Sequence, residues 1–348
     1  MEENRMKESF ALEDWTFSGK LVVTIPDATR PIDPLPALHA IALRASNIQK
    51  VVVGLGLHKP MKIPSTWSSF PIVQHNPDDC ISTSVVDGIP GSVHRSFAKS
   101  EASLSIGIAE LHQYAGFSGG YKGVAVGCGG RQTISQLHHR DRVLDPGVRI
   151  GVLTGNPFRE CIDELGKAAG CQWALNYSPQ QDQWFFGDPS AVLKSIASQS
   201  NSWYSVDKKY SSVLFSIPKS KGGSLYQASR AATYLALSPN PPLVKGAELW
   251  IEAPLDEGFG SEEGFVRALQ QPYPWSKLLT GEPPLGAGAQ RAIILAKVCT
   301  QYTIRLFGVR DPQLFRNVGL WASQEAAPRG SVGLLVSHPF YRLPQCVL

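Results

Sequence analysis

The stretch Leu21-Val-Val-Thr-Ile25-Pro-Asp27-Ala-Thr29-Arg30-Pro31 decides how this 348-residue chain folds. Its β-branched run predicts a buried strand from Leu21 to Ile25, and the prolines and short polar residues behind it predict a turn. A helical pattern from Leu35 to Ala45 follows, then a second apolar run, Val51 to Val53, which enters the glycine-bearing turn Gly54-Leu-Gly-Leu-His58. The alternation continues. Leu104 to Ile108, Val148 to Leu153, Val213 to Ile217, Leu249 to Ile251, Thr303 to Phe307 and Val332 to Val336 read as strands. Phe158 to Ala169, Leu225 to Leu237 and Ala289 to Cys299 carry apolar residues at helical spacing. Alternating strands and helices predict an α/β fold: two α/β domains with mainly parallel sheets and an active-site cleft between them.

Breaks at Ser220-Lys-Gly-Gly-Ser224 and Ser238-Pro-Asn-Pro-Pro242 put the domain junction near Gly222. The expected domains are 1–222 and 223–348, with the C-terminal tail packing back on the first. Pro272 to Gly288, rich in proline and glycine, predicts a long loop or lid.

A chain with 43% hydrophobic and 18% charged residues has the composition of a soluble globular protein. Its net charge of +4 comes from scattered basic residues, so no nucleic-acid surface is indicated. The cysteines, Cys80, Cys128, Cys161, Cys171, Cys299 and Cys346, form no C-x-x-C pair, and reduced thiols are expected. The opening residues are too polar for a signal sequence, and no apolar run has the length of a membrane span. The expected location is the cytoplasm, with no membrane partner.

Four segments carry chemistry. Asp27, Thr29 and Arg30 lie just past a strand's carboxyl end, where open α/β sheets bind ligands. They offer a carboxylate, a hydroxyl and a guanidinium; a plain turn in which Arg30 pairs with Asp27 uses the same residues. His58 repeats that topological position, which favours a shared cleft. In the third segment seven glycines lie between Gly116 and Gly130 around Lys122, with His112 before them and His138-His139 after. Glycine admits positive φ and close approach of a ligand, and the lysine amine either pairs with a phosphate or attacks an electrophile. No Walker loop is present, because glycine and not Ser or Thr follows Lys122, and the spacing suits a dinucleotide fingerprint poorly. The fourth segment, Tyr226-Gln227-Ala-Ser-Arg230, puts Gln227 and Arg230 on one helix face, for a substrate carboxylate or simply for solvent.

In this order the segments resemble the nickel-pincer lactate racemase family. The resemblance rests on Asp27-Ala-Thr-Arg30-Pro, Leu55-Gly-Leu-His58-Lys-Pro-Met, His112-Gln-Tyr-Ala-Gly-Phe-Ser-Gly-Gly-Tyr-Lys122, Thr133-Ile-Ser-Gln-Leu-His138 and Tyr226-Gln227-Ala-Ser-Arg230. It implies a shortened member whose first domain binds a nickel-pincer nucleotide, a pyridinium bisthiocarboxylate mononucleotide, covalently attached at Lys122. By that likeness His138 is the protein's nickel ligand, and His58 and His112 are the acid/base pair, with Arg30 and Asp27 in the catalytic machinery. Thr29, Gly116, Ser118, Gly119 and Gly120 would lie against the cofactor. Tyr226, Gln227, Arg230 and Gln290, on the second domain, would clamp the substrate.

The implied activity is racemisation or epimerisation of a small-molecule 2-hydroxy acid by reversible hydride transfer. Cofactor-synthesis proteins are the implied partners during maturation. A hydroxy-acid oxidoreductase and a non-catalytic cofactor-binding homologue are the alternatives. The chain departs from the family pattern at Arg230, where a lysine is usual, at Gln290, where a tryptophan is usual, and at Leu57, where a threonine is usual. These departures bear on which hydroxy acid fits.

Overall fold

The computed structural model describes residues 12–28, 30–270, 275–282, 284 and 286–347. It is α/β with mainly parallel sheets, and it divides into two compact units. One holds the described residues up to Leu137 together with Gly151–Ser200; the other holds His138–Ile150 and the chain from Asn201 onward. Gly222, the expected junction, lies inside the second unit.

The first unit is built on a six-stranded sheet in the order Gln183–Gly187, Cys171–Ser178, Ala102–Ile108, Leu21–Pro26, Ile48–Gly54, Ile72–Gln74. All neighbours are parallel except the antiparallel edge strand Gln183–Gly187. The chain lays Leu21–Pro26 in the middle, builds outward on one side through Ile48–Gly54 and Ile72–Gln74, and only then turns to the other through Ala102–Ile108. Leu21–Pro26 and Ala102–Ile108 therefore flank a topological switch point, the position at whose carboxyl-end side open α/β sheets bind ligands.

Apolar burial fixes this sheet. Val51, Val52 and Val53 are fully buried, each contributing about 1.5–3 kcal/mol. The helix Leu35–Ala42 sets Leu38 and Ile41 into the core beside Val23, Ile25, Leu104 and Ile106. It stops short of Ala45 because Ala45 bridges to Phe17 as an isolated strand-like pair. Trp15 packs edge-on against Trp173 and Phe186 at 5.2 and 5.3 Å, closing one end of that core.

One expected strand is absent. Val148 to Leu153 is irregular, because Gly151 and Gly155 take left-handed φ of +74° and +71° and the chain passes from the second unit to the first there. The segment instead braces the glycine run: Gly151 N–H donates to Gly116 O at 2.9 Å. Elements beyond the sequence reading include a hairpin, Cys80–Val86 with Ile89–His94, turned by Asp87 and Gly88 at positive φ. They also include the edge pair Cys171–Ser178 and Gln183–Gly187, and the helix Pro189–Gln199 capped by Asp188.

The second unit carries a five-stranded, all-parallel sheet in the order Trp321–Ala322, Thr303–Phe307, Leu243–Glu252, Tyr210–Ser216, Leu334–Val336. The helices Leu225–Ala236 and Ala289–Cys299 pack together within it. The C-terminal strand Leu343–Cys346 pairs in parallel with Trp203–Val206. Within the expected loop from Pro272 to Gly288 the structure has a short helix, Lys277–Thr280; positions 272–274, 283 and 285 lie outside the described residues. All six cysteines are free thiols, and no described helix is long and apolar enough to cross a membrane.

Candidate active site

Three neighbouring parallel strands deliver the first unit's polar residues. Pro26 and Gly54 are register partners at the ends of Leu21–Pro26 and Ile48–Gly54, so the residues after them emerge side by side. Asp27 and His58 meet there, with His58 Nδ1 at 2.7 Å from Asp27 Oδ2. The carboxylate can only accept, so Nδ1 carries the proton and Nε2 holds the lone pair. Asp27 is 8% exposed and His58 about 40% exposed, so a buried acceptor orients an accessible imidazole.

Arg30 crosses the switch point. Its Nη1 donates to Glu110 Oε1 at 3.2 Å, Glu110 standing two residues past the end of Ala102–Ile108. Arg30 thus pairs with Glu110, while the Asp27 carboxylate is given to His58. Glu110 is itself held: its backbone N–H donates to Ser118 Oγ at 3.1 Å and its carbonyl accepts from Ser118 N–H at 2.8 Å. Sequence reading passed over Glu110, though an acid at a strand's carboxyl end is the signal that singled out Asp27. Thr29 lies outside the described residues.

His112 is 9% exposed, on the short strand Leu111–His112. Its Nδ1 accepts from the backbone N–H groups of Tyr114 and Ala115 at 3.3 and 3.2 Å. The ring's single proton then sits on Nε2, opposite to the arrangement in His58.

The glycine run owes its glycines to packing within the protein. A Cβ on Gly116 (φ +71°) would stand 2.0 Å from Val152 O, and one on Gly123 would stand 2.3 Å from Ser105 Oγ. Cβ atoms at Gly119 (φ +87°) and Gly120 (φ +57°) would meet Asn176 Oδ1 and the Leu193 side chain. The first part of the run is a tightly folded turn pressed onto the sheet, leading into the four-residue helix Lys122–Ala125. Lys122 therefore starts over Leu21–Pro26 and Ala102–Ile108, the two strands of the switch point. The preceding Tyr121 donates to Asp188 Oδ2 at 3.4 Å, and burial first, then that carboxylate, pushes its phenol pKa up.

Beneath this turn lie polar groups that sequence reading missed. Asn176 and Thr24 are buried on the sheet, and among the described residues Asn176 Nδ2 and Thr24 Oγ1 have no hydrogen-bond partner. At the next strand end His75 is buried, donates from Nε2 to Gly129 O at 2.9 Å and stacks edge-on with His94. Burial, with His94 second, pushes the His75 pKa down to about 4, which makes it a neutral structural group.

The remaining candidates belong to the second unit. His138 follows the helix Arg131–Leu137 and is half-buried. Exposed His139 caps the helix Arg140–Val143, accepting the Asp141 N–H. On Leu225–Ala236, Arg230 donates to Gln227 Oε1 at 3.0 Å and to Tyr234 Oη at 2.9 Å, and its guanidinium lies over the Tyr234 ring. Gln227 and Arg230 do share a face. Tyr226 packs edge-on against Phe265 at 5.3 Å, and half-buried Gln290 lies in the first turn of Ala289–Cys299. Among the described residues no group of three or more His, Cys, Asp or Glu side chains gathers as a metal site.

Residues 7–151 match the family model of the lactate racemase N-terminal domain. The chain is 26% identical over 196 residues to a lactate racemase of Lactiplantibacillus plantarum, covering 50% of this chain and 46% of that protein. It is 23% identical over 176 residues to one from Thermoanaerobacterium thermosaccharolyticum, covering 45% and 41%. These matches span less than half the length of either relative. In structure the chain is similar to the lactate racemase apoprotein from T. thermosaccharolyticum, with a TM-score of 0.77 at 18% identity over 92% of this chain and 83% of that one. A protein from Thermotoga maritima is similar with a TM-score of 0.71 at 17% identity, over 96% and 95% of the two chains. At such identities the structural likeness speaks for the fold alone.

Proposed function

Because residues 7–151 match the lactate racemase N-terminal domain, we propose that the chain is a member of that family and an isomerase that inverts the α-carbon of a 2-hydroxy acid. The observation that carries this reading is the Asp27–His58 pair at 2.7 Å, set at adjacent strand ends beside the strands that Lys122 overlies.

The residues of the first unit fit a tethered nickel-pincer nucleotide. Lys122 offers a primary amine for a covalent link, Arg30 a guanidinium for an anionic group, and the buried orphan Thr24 Oγ1 a hydrogen bond under the Lys122 turn. His138 would complete the nickel's ligands with an imidazole, which suits Ni(II). When bound, the group supplies an acceptor for the α-hydride, which a poorly acidic α-hydrogen requires.

The chain's own residues handle the proton. His58, with its lone pair at Nε2 and Asp27 behind Nδ1, takes the proton of the substrate hydroxyl, and Asp27 stabilises the imidazolium that results. His112, with its N–H at Nε2, offers a hydrogen bond to the substrate oxygen, and the proton taken up by His58 returns to that oxygen when the hydroxyl reforms. Arg230, held by Gln227 and Tyr234, presents a planar fork to the substrate carboxylate. We assign the protein to the cytoplasm, with cofactor-synthesis proteins as its partners during maturation.

The test is a time course with single enantiomers of several 2-hydroxy acids, using protein made alongside the cofactor-synthesis enzymes. Loss of optical rotation without accumulation of keto acid supports racemisation. Stoichiometric keto acid with no inversion would instead mean oxidation.

A further inference from the structure

We infer that Asn176 is a positioning residue for Lys122, an inference that rests on the reading of Lys122 as a covalent tether. Asn176 stands on Cys171–Ser178, in register with Gly107 of the neighbouring strand, and is fully buried. Its Oδ1 accepts the Gly120 N–H at 2.7 Å. Gly119 and Gly120 are both left-handed, and a Cβ on Gly119 would lie 2.6 Å from that same Oδ1. The Gly119 carbonyl in turn accepts the Lys122 N–H at 3.2 Å. A continuous chain of contacts thus runs from the rigid sheet, through one amide oxygen and a turn of two glycines, to the backbone of the reactive lysine.

The other half of the Asn176 amide argues that the residue is there for more than packing. Nδ2 is buried with no partner among the described residues, and a buried donor left unmet works against folding. A Cβ placed on Gly107 would lie 3.5 Å from this Nδ2. An apolar side chain of similar size would fill the space without stranding a donor. What it would lack is the acceptor for Gly120. The acceptor is the feature worth keeping, and its effect falls on the turn that begins the Lys122 helix.

The experiment reads the reactivity of Lys122 in the bare chain. Trace acetylation with acetic anhydride across a pH series, followed by peptide mass spectrometry, gives the labelling rate of Lys122 relative to exposed Lys50. Asn176→Leu, which keeps bulk and removes the acceptor, should change that relative rate roughly fivefold, the effect of losing one hydrogen bond. Asn176→Asp, which keeps an acceptor oxygen, should return the rate towards the original value. Thermal unfolding establishes that each variant folds, and Asn176→Ala replaces the leucine variant if that one does not. Unchanged Lys122 labelling in a folded variant without the acceptor overturns the inference. Because the assay needs no cofactor, that outcome is distinct from failure of the tether reading, which would appear as no added mass on Lys122 in protein matured with the cofactor-synthesis enzymes.

Discussion

His58 Nδ1 and Asp27 Oδ2 lie 2.7 Å apart, joined across two parallel strands whose last residues, Pro26 and Gly54, are register partners. The pairing leaves Nε2 of an accessible imidazole as the lone-pair nitrogen and gives it a buried counter-charge. If His58 is the base, the carboxylate sets its tautomer. Asp27→Asn should therefore lower kcat for racemisation by about 100-fold with KM little changed. Steady-state kinetics on the matured enzyme provide the check; a variant whose loss lies wholly in KM would make Asp27 a binding group.

Arg30 and Glu110 make the corresponding link across the switch point at 3.2 Å, with Glu110 buried. Removing either partner leaves a charge in a poorly solvated place, whereas removing both does not. Chemical denaturation of Arg30→Ala, Glu110→Ala and the double variant should give a coupling energy of about 1–3 kcal/mol. Simple additivity would mean that solvent screens the pair.

The glycines of the Lys122 run are not equivalent to other left-handed glycines. Gly116 and Gly155 share a φ of +71°, but a Cβ at Gly116 would overlap Val152 O, while among the described residues one at Gly155 meets open space. Gly155→Ala should be destabilised by about 1 kcal/mol from backbone strain alone. Gly116→Ala should lose about 3 kcal/mol or more, because its obstacle is backbone that must move. Denaturation midpoints of the two variants test the ordering.

Acid should unfold the first unit through His75. Its pKa falls from 6.5 in the unfolded chain to about 4 in the fold, so the unfolded chain binds the proton first as pH drops. Stability is therefore full above pH 6.5 and declines as pH falls towards 4, by about 3 kcal/mol over that window. Urea titrations at several pH values should show this slope, and His75→Gln should flatten it while lowering stability at neutral pH.

Much of the fold is legible in the sequence where one interaction dominates. Fully buried parallel strands such as Val51–Val53 read as unbroken apolar runs, and helices with a proline or asparagine start, such as Pro157–Ala168, declare their own boundaries. Val148 to Leu153 misleads because β-branched composition says nothing of partners, and glycines at left-handed φ on either side of Val152 deny it a ladder. The Asp87-Gly88 turn was a readable hairpin signal hidden by weak alternation on its flanking strands.

At the site, strand-end position singled out Asp27, Arg30 and His58. Which acid each would meet depended on strand order, since Glu110 becomes Arg30's neighbour only once Ala102–Ile108 lies beside Leu21–Pro26. The glycine run shows the same limit. Its spacing marks an unusual turn, but only packing shows that Val152, Asn176, Leu193 and Ser105 demand the missing side chains.

The central claim is that Lys122 is an attachment point. The most direct measurement is the mass of the Lys122-containing peptide, together with nickel content, from protein produced with the cofactor-synthesis enzymes and from a Lys122→Ala variant made in the same way. The account predicts an added mass confined to Lys122 and nickel in the unsubstituted protein only. An unmodified Lys122 peptide, or nickel retained equally by Lys122→Ala, would contradict it.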